Sequence, residues 1–135
     1  MRLLARLLSP RATVYAHCDL PCGVYDPAQA RIEAESVKAL IAKHNASDDP
    51  VFKTRAIFIK EQRAELVKHH LWVLWTDYFK APHFEKYPNL HQLFNEATKL
   101  AGAGGAKGSL DESVADQLLA KIDEIAKIFW ETKQA

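Results

Sequence analysis

A chain of 135 residues with 48% hydrophobic residues can bury a core of its own as one domain, and two cysteines are too few to staple a fold. A formal charge of +1, from 18 basic and 17 acidic residues, argues against a nucleic-acid partner. No apolar run approaches the ~20 residues of a membrane span, so no membrane partner is expected.

Residues 1–16 differ from the rest. They hold Arg2, Arg6 and Arg11 and no acid. Taking these three from the 18 basic residues leaves 15 against 17 acidic ones, so residues 17–135 carry −2 with histidine neutral. Val14-Tyr15-Ala16 has the small-residue character of a cleavage site. A secretory signal needs an apolar region of roughly 7–15 residues. Here Arg6 interrupts the leucines and Ser9-Pro10 ends them. The expectation is a removable leader over 1–16 that is not an export signal, and a cytoplasmic working domain over 17–135.

The next segment, His17-Cys18-Asp19-Leu20-Pro21-Cys22-Gly23-Val24-Tyr25, holds both cysteines, with a histidine directly before the first. Two soft thiolates, an imidazole and a short rigid turn are the parts of a small metal site. If the leader is cut after Ala16, His17 becomes the N-terminus and gains a free amine. The amine, the Cys18 amide nitrogen and the thiolates of Cys18 and Cys22 can then form a square of donors, with the His17 imidazole in reach of an axial position. Such a set favours nickel(II) or copper(II). Its anionic amide and thiolate donors stabilise a higher oxidation state, which suits a small one-electron substrate. A disulfide between Cys18 and Cys22 is the competing reading of the spacing, and the more natural state of metal-free protein.

Beyond this hook the pattern is helical. Asp26-Pro27-Ala28-Gln29 reads as a helix start, with an acidic cap and proline at the first helical position. The first helix is expected to reach about His44, with Ile32, Val37, Leu40 and Ile41 on its apolar side. Asp49-Pro50 repeats the start signal, and with no glycine or proline from Val51 to Lys80 the second helix is expected to run roughly 45 Å to that point. Ala81-Pro82 ends it. Pro88 opens a third helix with Leu90, Leu93, Phe94, Ala97 and Leu100 on one face, and Gly102, Gly104, Gly105 and Gly108 close it in a loop. Ser109 to Glu112 reads as a capping box for the last helix. Its apolar residues Val114, Leu118, Ile122, Ile125 and Phe129 recur at helical spacing. Short connections between four helices predict an all-α, antiparallel four-helix bundle over 26–135, carrying the metal-binding hook, 17–25, at its N-terminus. Leu71-Trp72-Val73-Leu74-Trp75 is apolar on every side of its helix, which predicts a subunit interface.

The segment from His17 to Pro27 resembles the nickel-binding hook of the nickel-containing superoxide dismutases. The similarity continues through residues 28–35, 59–66, His69-His70, 77–80 and 128–133, and so covers essentially the whole chain. The resemblance implies a leader removed just before His17 by a processing protease, a four-helix-bundle subunit and a homohexamer. It also implies a nickel ion as cofactor and superoxide as substrate, disproportionated to oxygen and hydrogen peroxide as nickel cycles between its divalent and trivalent states. By matching position His17, Cys18 and Cys22 are the nickel ligands, and Glu33 and Arg63 orient the axial imidazole. Tyr25 and Asp19 lie beside the site, Tyr78 is near its entrance, and Pro21 follows a cis peptide bond. The remaining histidines, His44, His69, His70, His83 and His91, are read as structural or solvated. Lys80 is the candidate for local attraction of the anionic substrate, since the mature chain is net negative. The second function considered is a nickel or copper delivery protein, which would hold its metal on an exposed tip rather than orient it from neighbouring residues.

Overall fold

The structure is a computed structural model that describes residues 22–134. The leader, His17, Cys18, Asp19 and the bond before Pro21 lie outside the described residues. The described residues form four long helices, α1 (Ala28–Asn45), α2 (Pro50–Val73), α4 (Leu90–Ala101) and α5 (Glu112–Gln134), with a short α3 (Ala81–Lys86) between α2 and α4. Among the described residues there is no strand, and no helix is long and apolar enough to cross a membrane.

Each start signal has a visible cause. The Asp26 carboxylate accepts from Ala28 N at 2.8 Å, and Asp49 accepts from Val51 N at 2.9 Å, so both acids satisfy amide donors that the first helical turn leaves unpaired. At α5 the cap is Asp111, which accepts from Ser113 N at 2.9 Å, while Ser109 Oγ accepts from Asp111 N at 3.0 Å. The helix thus starts later than a box beginning at Ser109 would place it.

The four long helices pack in a closed ring, α1 on α2, α2 on α4, α4 on α5 and α5 back on α1. Ion pairs give the direction. Arg31 pairs with Asp123 and Lys38 with Asp116, so advancing along α1 means retreating along α5. The bundle is antiparallel, as expected. Its core is Ile41, Leu71, Leu90, Phe94, Leu118, Ile122, Ile125 and Phe129, supplied by all four helices. On α1 the inward row is Ala30, Ala34, Val37, Ile41 and His44, whereas Ile32 is 59% exposed and Leu40 only half-buried. The alanines let α1 lie close to its neighbours, and interaxial distance follows side-chain size at the contact.

The second helix does not continue to Lys80. It loosens after Val73 into a π-helical turn, Leu74–Tyr78, closed by Phe79 N donating to Leu74 O at 3.0 Å. Thr76 Oγ1 donates to Trp72 O at 2.8 Å, a back-bond that bends helices. The chain is extended at Phe79 and re-forms the single-turn α3 with Pro82 in its first turn, an element the sequence pattern did not announce. The wide turn sets Leu74 and Phe79 into the core, with Trp75 and Tyr78 packed against it. The apolar run 71–75 is therefore mostly absorbed by its own chain. Trp75 stacks on Phe94 at 5.7 Å and donates to His91 Nδ1 at 2.9 Å, and only Trp72 of the run, 40% exposed, faces outward.

One buried charge holds the glycine-rich connection between α4 and α5. Lys60 of α2 is buried, and its Nζ donates to Ala106 O at 3.2 Å, Lys107 O at 2.8 Å and Ser109 O at 2.7 Å. The three protons of the ammonium meet three carbonyls, while burial pushes its pKa down. The same loop needs glycine at 105, where a Cβ would lie 2.1 Å from Leu100 O.

Candidate metal centre

The described part of the hook is Cys22 to Tyr25, leading into α1. Gly23 has φ +72°, a left-handed conformation that L side chains rarely adopt, and this turns the chain directly after Cys22. Val24 N lies 3.4 Å from Cys22 Sγ and donates to it, seating the sulfur over the turn. The thiol is exposed, so a soft donor stands at the surface at the head of α1. Its chemistry fits a nickel or copper ion bound partly through sulfur.

Tyr25 leaves the turn and packs against the core. Its ring centroid lies 5.6 Å from that of Tyr78, at the end of the π-helical turn, so the structure brings these two expected site residues together. Glu33 and Arg63 meet between α1 and α2: Arg63 Nη1 donates to Glu33 Oε2 at 3.1 Å and Oε1 at 3.3 Å. The Glu33 side chain is 14% exposed, so its carboxylate is more sheltered than the other carboxylates in surface ion pairs, while Arg63 stays partly exposed. Lys80 Nζ donates to Asp77 O at 2.7 Å, so its ammonium rests on a carbonyl at the end of the π-helical turn.

The histidines outside the hook are used in packing and backbone contacts. His44 is buried at the end of α1. His83 Nδ1 accepts from Lys80 N at 3.0 Å and caps α3. His91 stacks on Phe84 at 3.8 Å, and the rings of His69 and His70 meet edge to face at 5.5 Å. Among the described residues no group of three or more His, Cys, Asp or Glu is arranged to hold a metal. Thr132 and Lys133, both touching Tyr78, escaped the sequence reading. Their only signal was membership of the segment 128–133, with nothing to join them to a tyrosine 54 residues away.

The described residues thus form a small, all-α, antiparallel helical bundle with a soft sulfur donor on a turn ahead of its first helix. The sequence profile of the nickel-containing superoxide dismutases matches residues 12–133. The chain is 65% identical over 133 residues to superoxide dismutase [Ni] of Streptomyces coelicolor (strain ATCC BAA-471 / A3(2) / M145), covering 98% of this chain and all of that one. It is 63% identical over 133 residues to the enzyme of the same name from Streptomyces seoulensis, with the same coverage. A native nickel superoxide dismutase structure superposes with a TM-score of 0.84 at 66% identity, over 88% of this chain and 100% of that one. The chain belongs to the nickel-containing superoxide dismutase family. It is an oxidoreductase that uses nickel to disproportionate superoxide, and a metal-delivery role is not favoured.

Proposed function

We propose that nickel is held by His17, Cys18 and Cys22 after removal of residues 1–16, and that Tyr25, Glu33 and Arg63 shape its surroundings in a hexameric cytoplasmic enzyme. The observation that carries this reading is the exposed Cys22 thiol on the Gly23 turn, seated directly ahead of Tyr25 and α1. The lengths of the relatives support the leader. The two Streptomyces enzymes match 98% of the chain, whereas the native structure is matched in full by 88% of it; the remaining 12% of 135 residues is about 16, the length of the expected leader.

Nickel bound by thiolates supplies one-electron redox chemistry, which superoxide dismutation requires. The protein's part is to hold and orient. Arg63 engages both oxygens of Glu33, and that carboxylate retains lone pairs for an imidazole N–H. Glu33→Ala and Arg63→Ala enzymes are expected to keep stoichiometric nickel while turnover falls about 10- to 100-fold, because partners of a ligating histidine set its orientation. Nickel-to-protein ratio and turnover, measured on the same samples, check this; unchanged turnover in both variants would remove the pair from the site.

Assembly is supported by the outward face of α2. Val51, Phe58, Leu66 and Trp72 share the side opposite its buried row, and Phe58 is 65% exposed. An open groove of about 520 Å³ lies on this face between Gln62, Leu66, His69 and Trp72, with Arg63 at its edge. A second copy seated there would close the site from the Arg63 side. Light scattering of leader-free protein is expected to give six subunit masses, and Phe58→Glu should lower that mass. Retention of full activity by a monomer at micromolar concentration would sink the assembly.

The test of the whole reading is metal analysis of leader-free protein beside a superoxide assay. Activity that tracks nickel and is absent from copper-loaded protein is the expected result.

A further inference from the structure

Tyr78, at the end of the π-helical turn, packs against the last turn of α5. Its phenol oxygen lies 2.7 Å from Thr132 Oγ1, and Thr132 Oγ1 lies 2.6 Å from Phe129 O. A carbonyl oxygen only accepts, and a threonine hydroxyl has one proton, so that proton goes to Phe129 O. The proton between Tyr78 and Thr132 is therefore the phenol's: Tyr78 donates and Thr132 accepts. Three further contacts hold the ring. Phe129 lies 4.3 Å away centroid to centroid, His83 stacks at 5.8 Å and 14°, and Lys133 Nζ sits 5.1 Å from the ring centroid. Tyr25, the last residue of the hook, touches the same ring. The C-terminal turn of α5 is thus tied to the hook through one tyrosine.

We infer that Thr132 is a positioning residue for the dismutation: by accepting the phenol proton it fixes the direction in which Tyr78 donates. While that bond stands, the phenol oxygen meets any other group only as an acceptor. It then offers nothing to superoxide, an anion without a proton, but can receive a hydrogen bond from water or from hydrogen peroxide. The Thr132 bond therefore keeps Tyr78 from holding the anionic substrate in a resting position and reserves it for protonated species. This rests on the reading that Tyr78 stands beside the hook.

The test is a double-mutant cycle on leader-free, nickel-loaded enzyme, using Thr132→Val, Tyr78→Phe and the pair. A phenol freed to hold superoxide in a resting position binds it unproductively, which lowers kcat and KM together, so Thr132→Val is expected to lower kcat roughly three- to tenfold, the worth of one hydrogen bond, with kcat/KM and nickel content unchanged. Thr132→Ser, which keeps the hydroxyl, should restore the rate. In the Tyr78→Phe background Thr132→Val should cost nothing further, because the phenol it acts through is gone. Thr132→Ala repeats the measurement if the valine variant misfolds, as judged by far-UV circular dichroism. An equal loss from Thr132→Val in both backgrounds would show an effect independent of the phenol and overturn the inference. So would a wild-type rate in Thr132→Val beside a slow Tyr78→Phe. A wild-type rate in Tyr78→Phe overturns the placement of Tyr78 and this inference with it, while leaving the thiolate ligands, tested separately by Cys22→Ser, intact.

Discussion

Cys18→Ser and Cys22→Ser enzymes are expected to lose nickel-dependent dismutation down to the background of the assay, with the fold intact. A thiolate is an anionic, polarizable donor, and a serine hydroxyl is a neutral, hard one that stays protonated at neutral pH. The exchange removes both the affinity for nickel and the electron density that makes its one-electron oxidation accessible. The structure explains why the loss is clean at position 22. Cys22 is exposed, and its sulfur contacts its own turn at Val24. Far-UV circular dichroism and the thermal midpoint of Cys22→Ser should therefore match wild type, while nickel content and rate collapse together. Gly23→Ala is a weaker companion, because a φ of +72° costs an L residue roughly 1–2 kcal/mol and only partly displaces the sulfur. Wild-type turnover in Cys22→Ser would show that the ligand assignment is wrong.

The second large effect is processing. While Ala16 remains attached, the nitrogen of His17 is a neutral amide, and the amine donor of the expected set does not exist. Full-length protein loaded with nickel should show background activity, and protein beginning at His17 should be fully active. One extra residue ahead of His17 should behave like the whole leader, since the chemistry changes at a single bond and not with the length removed. Equal activity in full-length and leader-free samples, at equal nickel content, would dismiss the amine as a ligand.

Much of the bundle could be read ahead of the structure because α4 and α5 alternate large apolar and polar residues at helical spacing, and Asp26 and Asp49 announce their helices by capping chemistry. The inward face of α1 was harder to read. It is built on Ala30 and Ala34, whose small side chains give little hydrophobic signal, while Ile32 attracts attention and faces outward. The π-helical turn was invisible because its cause is a choice between carbonyl partners, Phe79 N to Leu74 O instead of one residue nearer, which leaves no trace in periodicity. The site divides in the same way. The cysteines were conspicuous through their chemistry and spacing. Arg63 and Glu33, 30 residues apart, look like two solvated charges until α1 and α2 are laid side by side. Thr132 had no signal beyond its place in the segment 128–133, since a threonine near the end of an amphipathic helix is unremarkable without the tyrosine it faces.

Lys60 has a consequence for how the molecule responds to its surroundings. Three backbone carbonyls converging on one positive centre are the coordination that a loop commonly offers to a sodium or potassium ion. Here the cation is part of the polypeptide, carried on α2 and delivered to Ala106, Lys107 and Ser109 from 46 to 49 residues away. A tethered cation is present in every molecule, cannot be diluted or exchanged, and does not vary with the ionic composition of the surroundings. The α4–α5 connection, rich in glycine, is thereby held by a charge carried in the chain itself rather than by a bound ion.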